Sequence, residues 1–514
     1  MEKVKIMENA KLGITKLVEK YSIHFILLLA VALRLFHLDK RDFWYDEAFS
    51  GIAVKEKFSD MVSMIIKDVH PPLYYISAKI FSSLFNYSVF GIRLYSAIFG
   101  VLGIWAVYLF TKELFNKKAA LWASLITAIS PFAIQYSQEA RMYSMFSFLI
   151  VIASYFFVKG LKDKKARHFI LWGIFMGLSF STHYLGIIFS VIFIIVFIAY
   201  KFLENKKFSF IFSADTYKNL FFGYLVSFIT FLPWIGKFFR HLTNSQDGLA
   251  WIKPATFGDI FTNIKIFIFG SPLGEMTGGL TGMPSPNEIF GVNSISVLAA
   301  IIIFFTAIVA YILKNERKKE LTTLLIFSFG FLVIIYTLSF FGKHYLVTRY
   351  LLPSAYFLFV LVGLWLSKIK LRYTVSSLLL YIIFLSLIVP VKSSTGWNLL
   401  QKDANKFKEK NFYILNSFDY VIAKYYFGTD RLILFNMDWP QYNPNGWAAI
   451  GQSIKRTENL DDVRNDKNGL IISNTILRGQ IEDRKDIEYR KELDLTGLEI
   501  IDKYENINIY KFKQ

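Results

Sequence analysis

Apolar residues in this chain come in uninterrupted runs of close to twenty, not at the 3.6- or 2-residue spacing that one-sided burial produces. Such runs match a hydrocarbon core about 30 Å thick. Eleven stretches stand out: 21–38, 90–111, 119–136, 141–158, 168–184, 186–202, 218–236, 291–313, 321–341, 349–367 and 373–391. They predict a polytopic α-helical membrane protein; the short alternating segments of a transmembrane β-barrel are absent from the sequence. The first run follows a basic tail and contains Ala30-Val31-Ala32, as a secretory signal would. It continues to Leu38 with Arg34 inside it, and so reads as an uncleaved first span.

Polar residues between the runs sort by sign. The N-terminal tail carries Lys3, Lys5, Lys11, Lys16 and Lys20, and alternate connections after it carry Lys112, Lys117 and Lys118, then Lys159 to Arg167, Lys201 to Lys207, Lys314 to Lys319, and Lys368 to Arg372. Short basic connections mark the cytoplasmic face, so the N-terminus is expected on the cytoplasmic side of the cell membrane. The opposite, external face then receives residues 39–89, the 134–141 turn, the turn at His183, the loop 237–290, the segment Gly342–Arg349 and everything from about 392. Within 39–89, apolar positions at Phe49, Ile52, Ala53, Met61 and Ile65 predict one helix over 46–66 lying along the surface. A second helix is expected over 72–85 after Pro71-Pro72. The 237–290 loop is rich in Gly and Pro and is read as a lid or a linker.

Beyond residue 391 the pattern changes. "FYILNS", "RLILFN" and "GLIISNT" read as buried strands and "NLLQKDANKFKEK" as a helix, giving a small external α/β domain over 392–514 beside a transmembrane domain over 1–391. Composition adds two constraints. The net charge is +19, yet residues 391–514 hold 19 Lys and Arg against 18 Asp and Glu, so the excess lies in the membrane part. That favours loop basicity over a nucleic-acid groove. The absence of cysteine excludes disulfides, thiolate metal sites and cysteine nucleophiles.

Candidate chemistry gathers on the external face. In "RDFWYDEAFSG" the adjacent acids Asp46 and Glu47 sit among Phe43, Trp44, Tyr45 and Phe49. Interfacial charges are the ordinary reading, but aromatic neighbours desolvate a carboxylate and strengthen it as a base. Adjacent helical residues point about 100° apart, so one acid attends the chemistry while the other orients it or binds substrate. "HPPLYY" brings His70 and Tyr74 before a stiffened helix start that favours an anion. "SPFAIQYSQEARMYS" carries Gln138, Glu139 and Arg141, for which an interfacial Arg–Glu pair is the plain alternative. "STHYLG" supplies His183 and Tyr184, "KHYLVTRYLLPS" supplies His344 and Arg349, and Arg93 opens the second span. Ionisable residues at such depths are functional candidates. Outside a cell membrane there is no nucleotide sugar, so a transferase there needs a group activated on a lipid phosphate. A carboxylate then deprotonates the acceptor, and His and Arg stabilise the departing phosphate.

"WYDEA", "HPPLYY", "RLYSAIFGVLG", "SPFAIQYSQEARMYS", "STHY", "WIKPATFGD" and "TRYLLPS", in order over roughly residues 25–360, resemble the GT-C glycosyltransferases of the protein O-mannosyltransferase and aminoarabinose-transferase type, in their bacterial and archaeal subgroup. The resemblance implies inverting transfer from a polyprenyl-phosphate sugar to a lipid, protein or polysaccharide acceptor. Asp46 would be the general base with Glu47 beside it. His70, Tyr74, Arg141, His183 and Arg349 would meet donor phosphate or substrate. His70 stands where aminoarabinose transferases carry a phosphate-contacting lysine, a departure in the motif. No cofactor and no metal-ligand cluster is expected, although metal dependence varies in such proteins. A transporter or lipid flippase is the alternative; it would call for repeated halves with matching broken spans, which the sequence lacks. A non-catalytic scaffold would not need the aromatic acid pair.

Overall fold

Long apolar runs must satisfy their own backbone in lipid, which makes them helices. The computed structural model describes residues 21–205, 214–244, 252, 255–270, 318–341, 345–370, 373, 376, 396–414, 417–428, 430–435, 455–457, 460–474, 498–505 and 507–512. Helix α1 (Tyr21–Leu35) leads to the short helices α2 (Tyr45–Lys55), α3 (Phe58–Lys67) and α4 (Leu73–Ser83). The bundle continues with α5 (Val89–Leu114), α6 (Lys117–Ile129), α7 (Pro131–Ser137), α8 (Tyr143–Asp163), α9 (Ala166–Phe180), α10 (Gly186–Asn205) and α11 (Ala214–Phe231). It then runs through α12 (Ile235–Asn244), α13 (Phe257–Phe269), α14 (Lys318–Phe341) and α15 (Leu352–Leu366). Caps fix several starts: Ser88 accepts from Gly91 N, and Asn116 from Ala119 N.

Among the described residues six helices are long and apolar enough to cross a membrane, or seven if α6 and α7 form one span; α1 and α9 are apolar but shorter. The expected eleven spans are therefore not all seen as full-length helices. The predicted spans 291–313 and 373–391 lie outside the described residues, apart from Tyr373 and Ser376. The predicted span 119–136 is corrected to a pair bent by 63°. Pro131 has no N–H, so Thr127 loses its helical donor, and Ser130 caps a new helix instead. The fully buried Arg34 repairs the break: it donates to Thr127 O at 3.4 Å, Ala128 O at 3.1 Å and Ser137 Oγ at 3.1 Å. Gln138 Nε2 caps the end of α1 through the carbonyls of Leu33, Arg34 and Phe36.

Two further expectations are corrected. The single helix over 46–66 is divided into α2 and α3 at Glu56-Lys57, whose ψ angles of 161° and 153° lie outside the helical region. The 237–290 loop is largely helical where it is described, in α12 and α13, with Ile252, Ala255, Thr256 and Gly270 outside them. The expected helix over 72–85 is α4. Small residues let helices approach closely: a Cβ on Gly363 of α15 would lie 2.4 Å from Ala123 N of α6, so only glycine fits there.

The C-terminal part forms a six-stranded sheet in the order β3-β2-β1-β4-β6-β5. Strands β1 (Asn411–Ile414), β2 (Leu432–Phe435), β3 (Lys455–Thr457) and β4 (Gly469–Asn474) pair in parallel, and β5 (Leu498–Tyr504) and β6 (Ile507–Phe512) close one side antiparallel. Three strands fall on the predicted segments; β3, β5 and β6 were not anticipated. The predicted helix at 398–410 is α16 (Trp397–Lys402) followed by a 3-10 turn over Ala404–Phe407. Helices α17 (Ser417–Phe427) and α18 (Leu460–Asn465) join the parallel strands.

This sheet domain sits on the segment that carries the acids. Asp42 accepts hydrogen bonds from the backbone N–H groups of Gly396, Trp397 and Asn398 at 2.8, 2.9 and 2.9 Å. Tyr426 Oη accepts from Phe43 N, and Lys55 Nζ donates to Tyr425 O at 3.0 Å. Tyr425 packs so close to Gly51 that a Cβ there would lie 2.6 Å from its ring.

Candidate active site

Helix α2 starts at Trp44 in a capping box, with Glu47 at the third position reaching back to Trp44 N. That turn sends the two acids apart. Glu47 points into the bundle and is fully buried. Its Oε1 accepts from Arg93 Nε at 2.8 Å and from Ala140 N at 2.8 Å; its Oε2 accepts from Arg93 Nη2 at 2.6 Å. Arg41 Nη2 approaches to 3.6 Å. The remaining Arg93 donors go to the carbonyls of Leu38, Arg41 and Asp42, so all five are used. Burial alone would raise the Glu47 proton affinity, but the Arg93 and Arg41 guanidiniums and the bonded N–H groups outweigh it and hold the carboxyl below its usual range.

Asp46 faces the other way, with 18 % of its side chain exposed and Arg349 Nη2 at 3.4 Å. Arg349 is held among the rings of Trp44, Tyr143 and Tyr350, at 5.6, 5.6 and 5.8 Å from their centroids. Arg141 meets the same turn of helix, donating to Asp46 O at 3.4 Å, Ser50 Oγ at 3.3 Å and Tyr75 Oη at 3.0 Å. Its guanidinium thus serves α2 and α4, in place of the anticipated pair with Glu139; Arg141 meets Glu139 through the backbone, N donating to O at 2.7 Å.

Glu139 is buried beside this cluster with no hydrogen bond to Oε1. Burial pushes its carboxyl up to about 7, with Glu47 and Asp46 adding to the rise and Arg349 and Arg41 opposing it.

A second group lies between α3, α4 and the α9–α10 turn. His70 Nδ1 is 2.9 Å from Asp68 Oδ2, and the His183 ring stands edge-on to His70 at 5.8 Å. His183 is buried, and its Nδ1 accepts from Leu185 N, so the neutral ring carries its proton on Nε2. Burial first, and then electrostatic repulsion from the neighbouring His70, Arg141 and Arg349 side chains, hold His183 well below the usual histidine range. Tyr184 bonds His241 at 2.7 Å and accepts from Trp234 Nε1 at 2.9 Å, tying α12 to this end of the bundle.

The structure therefore brings Asp46, His70, Arg141, His183 and Arg349 into one cluster, with Glu47 behind it as an anchored support. Tyr74, expected at the substrate, is fully buried, and its hydroxyl is 2.8 Å from Ser96 Oγ; this corrects its place from site wall to bundle core. His344 lies outside the described residues. Sequence reasoning passed over Asp68, Asp42 and the role of Arg93. Asp68, two residues before His70, had a local signal; the other two act through contacts far apart in the chain. Among the described residues, no group of three or more His, Asp or Glu side chains is placed to hold a metal ion.

A profile of the dolichyl-phosphate-mannose-protein mannosyltransferase family matches residues 69–236, about a third of the chain. Among proteins of curated function, none matches by sequence. Solved structures share the fold. ArnT from Cupriavidus metallidurans in the apo state is 12 % identical with a TM-score of 0.61, over 95 % of this chain and 97 % of that one. The same protein bound to undecaprenyl phosphate is 11 % identical with a TM-score of 0.58, over the same shares. The oligosaccharyltransferase AglB from Archaeoglobus fulgidus, in complex with an inhibitory peptide and a dolichol-phosphate, is 16 % identical with a TM-score of 0.53, over 90 % and 70 %. By its matched segment and a fold shared over nearly its whole length, the chain is similar to the dolichyl-phosphate-mannose-protein mannosyltransferase family and has the polytopic membrane fold of ArnT.

Proposed function

We propose that the protein moves a sugar from a polyprenyl-phosphate donor to an acceptor hydroxyl or amine at the outer face of the cell membrane, with inversion and with Asp46 as general base. One observation carries this reading: of two adjacent acids, Glu47 has every oxygen committed to Arg93 and its neighbours, while the Asp46 carboxylate stays partly exposed with Arg349 Nη2 at 3.4 Å. A base must be reachable by the proton it takes. The relatives bound to undecaprenyl phosphate and dolichol-phosphate support a lipid-linked donor for this chain too.

The chemistry runs as follows. The acceptor oxygen or nitrogen attacks the anomeric carbon and gives its proton to Asp46. The bond from that carbon to the phosphate oxygen breaks, and the lipid phosphate leaves with the electron pair on the opposite face. His70, Arg141 and Arg349 offer donors to the phosphate. A phosphate that takes up Arg349 also frees the Asp46 oxygen to receive the acceptor's proton. His183, neutral and buried, shapes the wall on which His70 stands. The basic connections argue for a cytoplasmic N-terminus and for external placement of residues 39–89 and 392–514. The acceptor is a protein, a lipid headgroup or a polysaccharide.

The test is transfer by full-length protein in liposomes, with Asp46→Asn. The expected loss is roughly 10²–10⁴-fold in turnover, with undecaprenyl phosphate binding held within about twofold. Near-normal turnover in the variant would remove Asp46 as the base. Mass spectrometry of surface glycans and lipids from cells with and without the gene identifies sugar and acceptor.

A further inference from the structure

The segment between α3 and α4 is built to hold one ring. Pro71 disfavours helical backbone at His70, which lies in a bend, and Leu73 N donates to Ser181 O at 2.9 Å, pinning the start of α4 to the turn that carries His183. Within this frame Asp68 Oδ2 faces His70 Nδ1 at 2.9 Å and accepts a second bond from Tyr75 Oη at 3.4 Å. Tyr75 Oη in turn accepts from Arg141, whose other contacts are Ser50 and Asp46 O. A continuous chain of polar contacts thus links the helix bearing Asp46 to the ring of His70. Both Asp68 and His70 retain partial exposure, 15 % and 13 % of their side chains. With Nδ1 committed to the carboxylate, Nε2 is the ring nitrogen left for a ligand.

We propose that Asp68 is a positioning residue: it orients His70 so that Nε2 donates to the departing lipid phosphate, and it favours the monoester formed in the reaction over the diester consumed. This rests on the reading that His70 meets donor phosphate. The argument is one of charge. Nδ1–H held by a carboxylate leaves Nε2 a donor only in the doubly protonated ring, and the Asp68 carboxylate at 2.9 Å is the counter-charge placed against that form. The sugar donor is a phosphodiester with one negative charge. The leaving polyprenyl phosphate is a monoester that gains charge as its bond to sugar breaks. A carboxylate-backed imidazolium therefore binds the product-like state better than the donor, which is the differential that speeds the chemical step. Other charged or titratable groups in this corner are His183 and His241, which interact with the ring, and Arg141 and Tyr75, which reach Asp68. Of these, the two histidines and Arg141 add no negative charge, which leaves Asp68 as the counter-ion.

The experiment measures binding of two probes, undecaprenyl phosphate and its methyl diester, to the full-length protein in nanodiscs. Asp68→Asn keeps the shape and removes the charge. The expected result is a loss of about tenfold in monoester affinity, with the diester held within about twofold, as for one charge-assisted hydrogen bond. Asp68→Glu restores part of the preference. His70→Gln loses the same preference, and the double variant is no worse than His70→Gln. Equal loss for both probes in Asp68→Asn, or additive losses in the double variant, overturns the proposal. If Asp68→Asn does not fold, Asp68→Glu and His70→Gln carry the same comparison. A His70→Gln variant with unchanged binding of both probes overturns the phosphate-contact reading itself, whereas loss in His70→Gln but not in Asp68→Asn overturns only the role of Asp68.

Discussion

Asp46 and Glu47 are neighbours in the chain and belong to two different regions of the protein. The Glu47 side of α2 is a closed lattice in which each oxygen meets a guanidinium or a backbone N–H. The Asp46 side is open, with Arg349 beside the carboxylate, rings around that cation, and Arg141 on the Asp46 carbonyl. The turn of the helix made the difference, but the lattice maintains it: with Glu47 anchored to α5 and to Ala140 before α8, α2 cannot rotate. The lesson is that one acid of the pair is locked in place while the other stays open, so the two sides should fail differently when broken.

The largest stability effect lies on the closed side. Arg93→Met leaves Glu47 buried without its main partner and frees three loop carbonyls; removing one member of a buried pair costs about 3–5 kcal/mol. A large fall in melting temperature and poor membrane expression are expected, in contrast to Asp46→Asn, which should melt near the wild-type temperature while transfer is lost. A well-folded Arg93→Met protein with normal transfer would show that the lattice does not hold α2.

Glu139 sharpens the comparison because it lies between the two sides without a partner for Oε1. Its folded carboxyl titrates near 7, above the usual 4.5. Its raised value contributes stability that is complete below about pH 4.5, declines as pH rises toward 7 and is gone above it, because ionisation adds a third carboxylate to Asp46 and Glu47. Glu47 has the opposite sign: its contribution is present above the usual carboxylate value and lost as pH falls. Glu139→Gln should therefore gain on wild type between pH 5 and pH 8 by about 2–3 kcal/mol. Thermal melts of both proteins in detergent across that range test this; their difference cancels groups such as His183 that titrate in both. A gap that does not change with pH would place Glu139 outside the cluster's electrostatics.

How much of this was readable beforehand follows from what each feature depends on. Spans were legible because lipid demands a continuous apolar run. The break at Pro131 was written locally as a Ser-Pro helix start, but hydropathy ran through it. The division of 46–66 escaped because Glu56-Lys57 interrupts the helix without disturbing the apolar spacing on either side. The candidate site was legible as a set of ionisable residues on one face. Which acid is held depends on Arg93, 46 positions away, and no local pattern announces that contact. Tyr74 misled because an aromatic beside His70 looks the same in sequence whether it faces a ligand or Ser96.

The smallest effect concerns the seam between the membrane part and the sheet domain. Asp42 and Glu47 are five residues apart, and both are bound through the segment that Arg93 holds, so the closed side extends from α5 to α16. Asp42→Asn keeps one acceptor oxygen and loses the charge that favours three backbone N–H groups. A cost of about 1–2 kcal/mol is expected, confined to the seam. Limited proteolysis should then cut near residue 396 several-fold faster, with melting of the bundle unchanged. If the seam only attaches the domain, turnover falls no further than cleavage does. If the seam also fixes α2, turnover falls in the uncut protein while undecaprenyl phosphate binding persists. That second result would join the closed side of the acid pair to the sheet domain; equal losses of turnover and binding would separate them.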